Sequence, residues 1–388
     1  MVAAAALVAP LAACSASSPA PSARTVAGGP SATFALPPRA GAVDEPASTR
    51  PFDLHAHGYV EHEYFASGTA HAYRPAGALG DDGTWSVSPS SSAAYRTRIV
   101  VRRPADPARF NGTVLVEWFN VTGGLEADPD WTYLSDEILR SGEAYVGVST
   151  QALGINGGQA LLGVSGAPSG GLRAADPARY GSLVHPGDQY AYDIFSQVAR
   201  GLRSSEHVPV LGPLTPRHVV ALGESQSAFF LTTFIDAIQP RTHAFDGFFV
   251  HSRSGGAAPL GGGLGTAASA TGVHVRTDLD VPIMVFETET DVGPLLNYSP
   301  AAQPDSRTFR LWEVAGTSHA DAYLVGGEAQ LLGCTFPVNE GPEHFVAQAA
   351  LHALVRWVSA GVPPPTAPRI DMASSNPPTV ARDALGNA

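Results

Sequence analysis

Apolar residues along this chain gather into short runs rather than long stretches. Seven stand out: RIVVRR (98–103), TVLVEWF (113–119), AYVGVS (144–149), HVVALG (218–223), AFDGFFVH (244–251), VPIMVFE (281–287) and FRLWEVAG (309–316). Short runs rich in Val and Ile, apolar at successive positions, are what strands covered on both faces look like. Between several of them lie segments of helical character, such as DWTYLSDEILRSG, DQYAYDIFSQVARGLR and SQSAFFLTTFIDAI. The last helix, EHFVAQAALHALVRWVSAG, ends at a glycine shortly before a run of prolines, a clear stop. Alternation of strand and helix predicts an α/β fold with a mostly parallel, doubly wound sheet and right-handed crossovers. Ahead of it, GYVEHEYFASGTAHAY alternates loosely with aromatics at Tyr59, Tyr64, Phe65 and Tyr73, which predicts antiparallel strands at the sheet edge.

Composition divides the chain. Residues 15–50 are rich in Ser, Ala, Pro and Gly, too poor in apolar surface to offset chain entropy, and read as a flexible tether. The domain then spans 51–372, followed by a disordered tail over 373–388. Two Gly-, Ala- and Ser-rich insertions, 152–188 and 252–280, follow strand ends and read as lid-like loops, because that rim of a parallel sheet is where ligands bind. Hydrophobic residues make up 44% of the chain, ample for a large core. The net charge of −12 is dispersed, with no Lys/Arg-rich run to follow phosphates, so nucleic acid is excluded as a partner.

The opening MVAAAALVAPLAAC resembles a bacterial lipoprotein signal ending in its lipobox. That resemblance implies a signal peptide over residues 1–14, cleavage before Cys14 and acylation of that cysteine. The protein would then be secreted and anchored at the outer face of the cell envelope, touching membrane only through its lipid. The apolar run is too short to span a bilayer. Cys334 is left without a disulfide partner and reads as a packed free thiol. His55, His57, His62 and His71 have no carboxylates or cysteines at ligand spacing, so they read as strand and turn residues rather than a metal site.

The stretch VVALGESQSAFF carries the chemistry. An apolar strand runs into Gly223-Glu224-Ser225-Gln226-Ser227 and then directly into a helix, which places Ser225 on a tight turn with its hydroxyl exposed. Gly223 meets the G-x-S-x-G pattern, whereas Ser227 stands where glycine is usual; the alternative is a helix N-cap. A serine nucleophile needs an imidazole base oriented by a carboxylate. VPIMVFETETDV puts Asp291 in the loop after a strand, with Glu287 and Glu289 close by, and FRLWEVAGTSHAD puts His319 just past the final strand, with Asp321 two residues on. His185 and His251 are further histidines able to line a pocket.

From about residue 56 to 370 the chain resembles the α/β-hydrolase superfamily. In EYFASGTA, DPARYGSLVHPGDQYAYDIFSQ, GESQSAF, FETETDV and WEVAGTSHAD it resembles a group of bacterial secreted "alpha/beta hydrolase domain" proteins. The resemblance implies the α/β-hydrolase fold and a triad of Ser225, Asp291 and His319 in that chain order, with Glu289 as the alternative acid. It also implies an oxyanion hole built from the Gln226 N–H and from Asn120 or Val121 in the loop after TVLVEWF, which Gly123 and Gly124 leave free to bend. Glu224 either bonds into the pocket wall or pairs at the surface. The expected activity is hydrolysis of a small-molecule or lipid-like carboxylic ester through an acyl-enzyme, with no metal or organic cofactor. The same triad serves an amidase or acyltransferase, and a non-catalytic surface binding protein is a third reading.

Overall fold

The computed structural model describes residues 29–47, 52–162, 170–204, 208–263, 272–293, 295–326 and 337–388. Cys14, the signal segment and Cys334 lie outside them. The apolar runs become strands of one nine-stranded sheet, ordered β1-β2-β3-β5-β4-β6-β7-β8-β9. These are β1 (Thr33–Ala35), β2 (Tyr59–Pro75), β3 (Val87–Pro104), β4 (Thr113–Trp118), β5 (Ala144–Val148), β6 (His218–Glu224), β7 (Gly247–His251), β8 (Ile283–Thr288) and β9 (Phe309–Val314). β1, β2, β3 and β5 pair antiparallel, and from β5 through β4 to β9 every neighbour is parallel. The mostly parallel sheet with an antiparallel edge therefore forms as the hydrophobic pattern predicts.

The helices on this sheet or at its strand ends include α1 (Pro129–Ser141), α2 (Ala191–Arg203), α3 (Gln226–Thr233), α4 (Glu289–Val292), α5 (Ala322–Val325) and α6 (Glu343–Ala360). Successive residues of an inner strand face opposite sides of the sheet, and here both sides are covered. In β6, Val219 and Ala221 join one buried cluster with Phe195 of α2 and Phe230 of α3, while Val220 and Leu222 join the other with Ile138 of α1 and Leu351 of α6. Apolar area removed from water on both faces, at roughly 25 cal/mol per Å², is what fixes the inner strands. The strand ends that carry Glu224, His251 and Thr288 consequently lie side by side at one edge.

Three expectations need correction. The supposed tether over 15–50 contains β1, which pairs with β2, and it buries Ala32 and Phe34 against α2 and the sheet. Ala32 N–H donates to Gln197 O at 2.9 Å, Asp44 N–H to the Tyr180 hydroxyl at 2.9 Å, and Arg200 Nε to Pro30 O at 2.7 Å. Backbone pairing at an edge needs little apolar side chain, so composition alone misreads it. The domain accordingly begins well before Pro51. The supposed tail over 373–388 forms a hairpin of β10 (Met372–Ser375) and β11 (Pro378–Val380), whose Val380 packs into the body and whose Arg382 reaches Glu289.

Among the described residues the first insertion holds three short helical turns, Ala152–Asn156, Gly171–Ala175 and Pro177–Tyr180. Leu162 N–H donates to Thr122 O at 3.0 Å, so this insertion is joined to the loop that follows β4. The second insertion is joined to α3 where Ala258 N–H donates to Phe229 O at 3.1 Å. Residues 163–169 and 264–271 of the two insertions lie outside the described residues.

Candidate active site

Ser225 sits between the last residue of β6 and the first of α3, at φ 56° and ψ −117°. A positive φ is costly for any residue with a Cβ and persists only where its surroundings impose it. Here the strand before and the helix after impose it, and Ser225 N–H donates to His251 O at 2.9 Å. Gly223 leaves the turn room to close: a Cβ there would stand 2.9 Å from Leu231 Cδ1 and 3.1 Å from the carbonyl carbon of Ser227. Ser227 is fully buried in glycine's usual place, with a hydroxyl that finds no hydrogen-bond partner among the described residues.

Ser225 Oγ and His319 Nε2 are 2.8 Å apart, and His319 Nδ1 and Asp291 Oδ1 are 2.8 Å apart. The carboxylate fixes the tautomer with the proton on Nδ1, leaving Nε2 to accept from the serine. Local sequence builds both supports. Thr288, three residues before Asp291, caps α4 with a capping box: its hydroxyl donates to Asp291 Oδ2 at 2.6 Å and its N–H to the same oxygen at 2.9 Å. His319 N–H donates to Thr290 Oγ1 at 2.9 Å, so one turn of chain holds the acid and the base loop together.

The electrostatics follow from this packing. Burial by itself would raise Asp291, but the His319 imidazole and the Thr288 hydrogen bond hold it below the usual carboxylate value. Burial alone would lower His319, yet the Asp291 carboxylate, assisted by Glu224 and Glu343, pushes it up to about 9. The other acids expected near the histidine lie elsewhere. Glu289 accepts Gly316 N–H at 2.7 Å and pairs with Arg382 at 2.6 Å; Glu287 is buried, pushed up by desolvation, and accepts Arg253 N–H at 3.2 Å. Asp321 caps α5 through Leu324 N–H and accepts the Tyr133 hydroxyl at 3.1 Å.

Of the expected oxyanion donors, Gln226 N–H opens α3 and has no acceptor within its helix. Val121 N–H donates instead to the Gln226 side-chain Oε1 at 3.0 Å. Asn120 is engaged on both sides: its N–H donates to Ala127 O at 2.9 Å, and its side-chain amide to Glu224 O at 3.2 Å and Glu224 Oε2 at 3.3 Å. Asn120 thus braces Glu224, the residue before Ser225, rather than offering a donor.

The partners of His251 and His185, and other contacts around the site, escape sequence reasoning. His251 is fully buried, its Nδ1 2.8 Å from Asp130 Oδ1 and its Nε2 3.2 Å from Glu343 Oε1, partners far away in sequence. His185, in the first insertion, bonds through Nε2 to Thr150 O at 2.8 Å, just beyond the end of β5. The brace between Asn120 and Glu224 has no local signal either. Thr288 has one, since Thr-x-x-Asp is capping-box spacing.

Fold comparison returns remote likenesses. An a/b serine hydrolase without lid from Xanthomonas campestris is 13% identical, with a TM-score of 0.37 over 68% of this chain and 91% of that one. The esterase Est22 is 13% identical, with a TM-score of 0.40 over 78% of this chain and 81% of that one. A putative dienelactone hydrolase from Klebsiella pneumoniae is 10% identical, with a TM-score of 0.37 over 76% and 99%. No curated protein matches the chain. The family model described as "Alpha/beta hydrolase domain" matches residues 23–388, and the chain belongs to that family.

Proposed function

We propose that this protein is a serine hydrolase of carboxylic esters that works through an acyl-enzyme. The observation that carries the reading is the continuous hydrogen-bonded line from Ser225 Oγ through both nitrogens of His319 to Asp291. His319 Nε2 takes the hydroxyl proton as Ser225 Oγ attacks the ester carbonyl carbon, and Asp291 holds the imidazolium that forms. The tetrahedral oxyanion accepts from Gln226 N–H; it gains Val121 N–H as a second donor when it displaces the Gln226 side-chain oxygen, each donor worth about 10²- to 10³-fold in rate. Collapse breaks the bond to the alcohol oxygen, which leaves with the Nε2 proton. Water, deprotonated by the same nitrogen, then attacks the acyl carbon; collapse breaks the bond to Ser225 Oγ, which takes back the Nε2 proton as the carboxylic acid leaves. The leader sequence alone supports a second part of the reading, export and acylation at Cys14.

The test uses purified protein on p-nitrophenyl acetate and butyrate, with the matched anilides and an alcohol acceptor alongside. Ester hydrolysis that falls at least ~10³-fold in Ser225→Ala is the expected result. No ester turnover, or turnover undiminished in the variant, would overturn the reading; faster anilide cleavage or acyl transfer would redirect it to an amidase or a transferase.

A further inference from the structure

Glu224 precedes the nucleophile, and its carboxyl group is buried under the site rather than paired at the surface. Its Oε1 lies 3.6 Å from His319 Nε2, the nitrogen that receives the serine proton, on the side of the ring remote from Asp291. Its Oε2 accepts from the Asn120 amide, and Asn120 is itself pinned by its backbone bond to Ala127. Among the described residues no hydrogen bond reaches Oε1. A buried carboxylate with one neutral donor is poorly compensated. The positive charges able to compensate it are the imidazolium forms of His319 and, from β7, His251.

We infer that Glu224 is a positioning residue for His319, a second buried carboxylate that holds the imidazolium from its Nε2 side while Asp291 holds Nδ1. The inference rests on Ser225 being the nucleophile and His319 its base. The role of Glu224 is electrostatic: it stabilises the charged ring in the tetrahedral intermediate and keeps Nε2–H between the attacking and leaving oxygens. The groups that face this pair come from several elements: Asp291 from α4, His251 from β7, Asp130 and Tyr133 from α1, and Glu343 from α6. Burial, opposed by His319 and His251, pushes the Glu224 carboxyl up to about 7, so it gains its charge across neutral pH. Its charge in turn raises His319.

The experiment measures the rate at which a fluorophosphonate labels Ser225 from pH 5 to 10, which requires no knowledge of the substrate. In the wild type the rate climbs with pH as His319 becomes neutral. In Glu224→Gln the climb moves to lower pH by roughly one unit, the scale of removing an opposite charge at this distance. Glu224→Asp restores it to near the wild-type position. A merely structural residue lowers the rate at every pH and leaves the climb in place, and that outcome would overturn the inference. Should Glu224→Gln fail to fold, Glu224→Leu removes the same charge and is read the same way. Absence of any label on wild-type Ser225 would instead count against the serine-hydrolase reading itself, so the two failures are distinguishable.

Discussion

Ser225 keeps its positive φ because β6 and α3 meet there, and Gly223 lets the turn close against Ser227. Gly223→Ala brings a Cβ to 3.1 Å from the Ser227 carbonyl carbon, tighter than packing allows without a shift, and a loss of about 1–3 kcal/mol in urea unfolding is expected. The two acids weighed from sequence separate cleanly by mutation. Asp291→Asn lowers kcat by about 10³- to 10⁴-fold, because the amide presents the wrong partner to Nδ1. Glu289→Gln, which loosens Arg382 and the Gly316 loop, stays within about tenfold of wild type. If steady-state kinetics reverse that order, Asp291 is not the acid. On the proposed mechanism His319 acts as a base only when neutral, and its folded value is raised to about 9. Hence kcat/KM rises with pH and levels off near that value; a plateau already reached at pH 6 would contradict it.

At the scale of elements, β7 and α6 meet around His251. Burial alone would lower it, but hydrogen bonds from its ring to Asp130 and Glu343 raise it well above the ordinary imidazole value. Its folded pKa is raised, so its contribution is complete below the unfolded value of about 6.5 and fades as pH rises through the folded one. His251→Gln is expected to cost about 3–5 kcal/mol at pH 6, with a smaller gap at alkaline pH, read from denaturant midpoints. A pH-independent gap would remove the charge from the explanation. The inner strands were legible because burial on both faces forces apolar runs, as β6 and β8 illustrate. β1 and the β10–β11 hairpin were not, because their stability comes from backbone pairing and a few contacts such as Phe34 and Val380. Ser225, Asp291 and His319, which the structure brings into one hydrogen-bonded line, each stand at a strand end with a local pattern. The Asn120–Glu224 brace, the Val121–Gln226 bond and the His251 pair join residues about a hundred positions apart, and no local pattern encodes them.

At the scale of the whole molecule, Ala32 and Phe34 of the described segment 29–47 pack onto the domain, and β1 pairs with β2. Among the described residues no helix is long and apolar enough to cross a membrane. Expressed from its own leader in a bacterium, the protein is expected in the membrane fraction and Cys14→Ser in the soluble one; unchanged partitioning would sink the acylation proposal. The central claim concerns one oxygen atom. Peptide mapping after treatment with a fluorophosphonate should find a single adduct on Ser225, abolished in Ser225→Ala and strongly slowed in His319→Ala. An adduct on another residue, or none at a pH where His319 is neutral, would contradict it.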